Sequence, residues 1–100
     1  MKLGIIINTD RHLADIMGIV NAAIFKKHEV ILFNMDEGTK LVVASEFAEL
    51  SKTKGITMSF CSHSAKHFGI GMEGIPEKIV SGSQYNNALM VNAVDRVIIL

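Results

Sequence analysis

What most constrains this chain is a set of short runs in which neighbouring residues, rather than alternate ones, are apolar. Residues 3–7, 30–33 and 97–100 all have this character. Successive side chains on a strand point to opposite faces. Such runs therefore need apolar packing on both sides, as the strands of a parallel sheet between helices do.

The segments between them carry the helical period. After the polar stop Asn8-Thr9-Asp10, with Thr9 or Asp10 as N-cap, Leu13, Ile16, Met17, Val20 and Ile24 recur at three- and four-residue spacing. Lys26, Lys27 and His28 close that helix, where cations complement its dipole. Asn34 to Gly38 reads as a loop. Residues 39–54 read as mainly helical, with a break near Val42-Val43 and Ser45 and with Gly55 as the stop. A third strand over 56–60 delivers Cys61, and a short helix over 62–68 ends at Gly69. Pro76 is expected to start a helical turn and Ile79-Val80 to form a short edge strand. Ser83 caps a last helix through Ala93, and 97–100 returns as a doubly buried strand. The expectation is one domain over residues 1–100: a three-layer α/β/α Rossmann-like fold with a mainly parallel sheet of four or five strands and right-handed crossovers.

Ten basic and ten acidic residues cancel, and no block of like charge stands out, so nothing points to nucleic acid or an anionic membrane as partner. The apolar run at the N-terminus is too short to span a bilayer. A lone cysteine makes no internal disulfide, so the expected compartment is the cytoplasm. The chain is 49% hydrophobic and only 20% charged. A small domain has much surface for its volume, so part of that apolar surface is expected to face a partner, most simply another copy.

In an open parallel sheet, ligands gather beyond the carboxyl ends of the strands. Those ends should present Asn8 and Asp10, Asn34 and Asp36, and then Cys61, Ser62 and His63. Cys61 is thus expected bare at the rim and at a helix N-terminus, where unpaired N–H groups favour a thiolate. His63 is an auxiliary charge. Read alone, the same cysteine is equally a small buried hydrophobe. Cys61, His63 and His67 spell C-x-H-x3-H, three ligand types for zinc or copper in one segment. Residues 69–74 match G-x-G-x-x-G by letter, but follow a helix instead of a strand, so a dinucleotide cradle is not expected. The first strand–helix loop lacks phosphate-binding glycines, and no organic cofactor is expected.

The opening strand, Lys27-His28-Glu29-Val30, the Asp36-Glu37-Gly38 turn, Cys61 with Gly69-Ile70 eight residues on, and Ala93-Val94-Asp95-Arg96-Val97-Ile98 together resemble the small DsrE/DsrF-like proteins. The similarity is one of layout over nearly the whole chain. It implies assembly into trimers or hexamers. It also implies a sulfur-relay role in which a cysteine placed like Cys61 carries sulfur as a persulfide between donor and acceptor proteins. Only Cys61 inherits a role. Ser62, His63 and Ser64 are neighbours, and this polar stretch departs from the apolar one that follows the cysteine in sulfur carriers of the family. Two alternatives stand beside that expectation: a non-catalytic oligomeric subunit, and the metal site at Cys61, His63 and His67.

Overall fold

The computed structural model describes residues 1–100. Five parallel strands alternate with helices: β1 (Lys2–Ile7), α1 (Leu13–Phe25), β2 (Glu29–Asn34), α2 (Ser45–Ala48), β3 (Ile56–Cys61), α3 (Ser62–His67), β4 (Ile79–Gly82), α4 (Gln84–Ala93) and β5 (Arg96–Ile99). The strand order is β4-β3-β2-β1-β5. Register runs from Leu3 opposite Val30 to Ile7 opposite Asn34, and from Met58 opposite Ile79 to Cys61 opposite Gly82. The chain steps outward from β1 to β4 and then crosses back to β5 on the far side of β1. With crossovers of one hand, that reversal puts α4 on the opposite face from α1, α2 and α3.

Residue parity in β1 shows the two faces. Leu3, Ile5 and Ile7 pack with Ile16, Val20, Phe47 and Phe60 in a cluster of 17 buried residues. Ile6 belongs to a second cluster of 4, with Phe33, Cys61 and Met90. Gly4 shares the face of Ile6, and a Cβ there would run into Met90 Sδ and Val94, so glycine lets α4 lie directly on β1.

Several local expectations need correction. The N-cap of α1 is His12, with no side-chain cap bond, and neither Thr9 nor Asp10 caps it. The stretch 39–54, expected as mainly helical, is mostly 3₁₀. Two 3₁₀ segments, Asp36–Val43 and Glu49–Lys52, flank the single α-turn of α2, with extended Ala44 making the expected break. Asn34 Nδ2 donates to the Gly38 carbonyl, and Thr39 Oγ1 donates to that of Asp36. Those local bonds, with Asp36 at φ 49°, wind the backbone too tightly for α geometry. The helical turn near Pro76 precedes it, at Met72–Gly74. β5 is not doubly buried: it is an edge strand, with Val97 and Ile99 exposed. Gly55 and Gly69 do adopt left-handed stops, at φ 92° and 70°. Ser83 caps α4 in a capping box with Asn86.

Candidate functional site

Because all five strands are parallel, their carboxyl ends meet one edge, and Cys61 is the last residue of β3 and the N-cap residue of α3. The thiol is not bare. Cys61 is 4% exposed, packed against Ile6, Phe33 and Met90, with Met35 alongside. The expected open rim is closed because α4 crosses over β1 and β2 and brings its first turn to this edge. There Gln84 Nε2 lies 3.9 Å from Met35 Sδ, and Asn87 Nδ2 donates to Gln84 Oε1 at 3.2 Å. The Oδ1 atom of Asn87 is buried without a partner.

Two opposing effects act on the sulfur. Burial is the largest and pushes the thiol pKa up. Against it stand the Ser64 hydroxyl, the Ser64 and His63 backbone N–H groups and the Gln84 side chain, which together bring the pKa below the ordinary thiol value. Residues 63 and 64 occupy the second and third positions of α3, whose N–H groups have no partner within the helix. The neutral thiol makes no directed cap bond to them. A thiolate is the stronger acceptor, so these donors favour the charged form. α3 is only six residues long, so this preference comes from individual donors and owes little to a macrodipole.

The other sequence-selected residues scatter. Asn34 is fully buried and holds the Gly38 carbonyl, with its own Oδ1 unpartnered. That is a structural latch on the opposite face from Cys61. Asn8 and Asp10 are half-buried in the loop after β1, beside the switch point between β1 and β5 and two strands from β3. Asp36 and Ser62 are exposed. None of these five acts on the sulfur. His63 contributes its backbone N–H while its side chain is exposed. Cys61, His63 and His67 form no cluster able to hold a metal ion. The cysteine faces inward, whereas His67 is exposed and packs edge-on against Phe68. Gln84 and Met35 were missed in the sequence. The Ser83 cap fixes the start of α4 and so places Gln84 at the edge, but nothing in the sequence tells which strand α4 crosses.

The fold defines a class: small three-layer α/β proteins with a five-stranded parallel sheet. YchN from E. coli has the same fold, with a TM-score of 0.74 at 13% identity over 100% of both chains. MTH1491 from Methanobacterium thermoautotrophicum, a protein of unknown function, matches with a TM-score of 0.71 at 15% identity, over 99% of this chain and 98% of that one. No family model matches the chain, and no curated protein does. No helix is long and apolar enough to cross a membrane.

Proposed function

We propose that this chain is an intracellular sulfur carrier of the DsrE/DsrF type, working as a homo-oligomer, trimeric or hexameric, in the cytoplasm. Cys61 accepts sulfane sulfur as a persulfide and relays it to a partner cysteine. The supporting observation is the set of donors around a single sulfur, which holds its pKa below the ordinary value despite burial. The chemistry needs no organic cofactor. The Cys61 thiolate attacks the outer sulfur of a persulfide or polysulfide donor. A bond forms between Sγ and that sulfur, the donor's sulfur–sulfur bond breaks, and the donor leaves as a thiolate. Relay is the same step reversed in role: an acceptor thiolate takes the outer sulfur and Cys61 leaves as thiolate. Ser64 and Gln84 hold the charge in both states.

The test is intact mass after incubation with polysulfide. Wild type gains one sulfur atom that a thiol removes, and Cys61→Ser gains none. No gain on wild type, or equal gain on both, overturns the reading. The 4% exposure of Cys61 favours a second reading, in which it is a core residue of a non-catalytic subunit that binds a small ligand or protein partner. That reading predicts no sulfur uptake, with Cys61→Ala losing some stability through lost packing but keeping assembly.

A further inference from the structure

A buried side-chain oxygen without a partner is rare, because it costs the fold the desolvation of a polar group. Asn34 and Asn87 each carry one. Asn34 offsets that cost with a buried bond to the Gly38 carbonyl. Asn87 has no such bond. Its side chain reaches only Gln84, three residues back on α4, through Nδ2 at 3.2 Å. A side-chain pair at that spacing on an exposed helix surface adds little to stability. Asn87 lies three residues before Met90, on the side of α4 that faces the sheet, where an apolar side chain would leave no orphaned oxygen. What the pair does supply is an orientation. A glutamine amide ends in a donor and an acceptor of nearly equal size, and only the donor end stabilises a thiolate. Asn87 Nδ2 can only donate, so it takes Gln84 Oε1 and leaves Nε2 free. Nε2 lies 3.9 Å from Met35 Sδ, at the edge that holds Cys61. Burial sets Asn87 in turn. Turning its amide over would bury an NH2 group, with its pair of donors, in place of a single acceptor.

We propose that Asn87 is a positioning residue: by holding Gln84 Oε1, it keeps the Gln84 amide turned with its NH2 toward the Cys61 sulfur. Asn87 acts through Gln84 and through nothing else. The inference deepens the proposed function and rests on it for its purpose, because a thiolate that attacks during loading and departs during relay needs the same donor facing it in both steps. Gln84 is the first residue of α4 and its side chain is exposed. Untethered, it would spend part of its time with Oε1 toward the sulfur, where an acceptor opposes the charge. Stability given up at a residue that serves a reactive group is the expected sign of such a role.

The test is the midpoint of thiolate absorbance against pH in wild type, Gln84→Ala, Asn87→Leu and the double variant, with urea titrations alongside. Asn87→Leu moves the midpoint upward, in the same direction as Gln84→Ala. The double variant matches Gln84→Ala alone, because Asn87 then has nothing to orient. Asn87→Leu is also at least as stable as wild type, which separates lost orientation from a damaged fold. Asn87→Ala removes the amide without adding bulk and repeats the upward shift. An unmoved midpoint in both Asn87 variants overturns the proposal. So do shifts that add in the double variant, or a Gln84→Ala midpoint equal to that of wild type. Sulfur uptake by wild type, read by intact mass on the same samples, reports separately on the carrier reading. Its failure, with the midpoints as described, removes the function and leaves the orientation of Gln84 by Asn87 standing.

Discussion

On one face of the sheet, α1, α2 and α3 with their 3₁₀ turns close over 17 buried residues; on the other, α4 alone covers 4. The difference follows from connectivity. Three of the four crossovers fall on the first face and one on the second. Five strands about 4.8 Å apart span roughly 19 Å, while one helix is about 10–12 Å across. A single helix leaves strips of sheet uncovered on both its sides. The well-sealed face supplies stability. The thinly covered one carries the cysteine and the exposed Val97 and Ile99. Cys61 is accordingly buried in the small cluster with Ile6, Phe33 and Met90, under α4 alone.

The strongest way to break this contrast is Phe47→Ala, a fully buried side chain under the three-helix face. It should cost about 3–5 kcal/mol in a urea titration, and a loss below about 1 kcal/mol would mean that face is not the stabilising one. Gly4→Ala tests the other side. Its Cβ would meet Met90 and Val94, and lifting α4 should cost about 1–3 kcal/mol by the same titration. Ser64→Ala should raise the Cys61 pKa, read from the thiolate absorbance against pH, because it removes a hydroxyl donor to the sulfur. Gln84→Ala should raise it less and speed alkylation by uncovering the sulfur. Smallest is Leu89→Ala on α4, which should change stability by no more than about 0.5 kcal/mol. A large stability loss there would mean that α4 buries more than the small cluster.

The lowered thiol pKa also makes stability depend on pH. The native state holds the thiolate better than the unfolded chain, whose thiol titrates near about 8.5. This contribution is fully present above that value and is lost as pH falls through the lower, folded-state pKa. Cys61→Ser should remove that dependence from a series of urea titrations.

Much of the fold was legible because each cue had one physical outcome. Consecutive apolar residues at 3–7 and 30–33 require two covered faces, and Ser83 followed by Asn86 completes a capping box. Residues 39–54 were read as mainly helical because no residue-type cue tells that Asn34 and Thr39 will bond the nearby Gly38 and Asp36 carbonyls and tighten the chain into 3₁₀ turns. The apolar residues of β5 suggested burial on both faces, but strand order puts β5 at an edge, where Ile98 packs on the core and Val97 and Ile99 stay exposed. The candidate site was legible only as one residue. Cys61 follows from its place after the third strand, whereas Gln84 and Met35 reach it through a crossover whose landing point no local pattern encodes.

The central claim is that donors from α3 and α4 overcome burial and hold the Cys61 thiol pKa below its ordinary value. The rate of iodoacetamide alkylation of wild-type protein, followed from pH 5 to 10 by intact mass, tests it directly, since only the thiolate reacts. The account predicts a single titration with its midpoint below the ordinary value of about 8.5, moving upward in Ser64→Ala. A midpoint at or above that value, unmoved by Ser64→Ala, would contradict it.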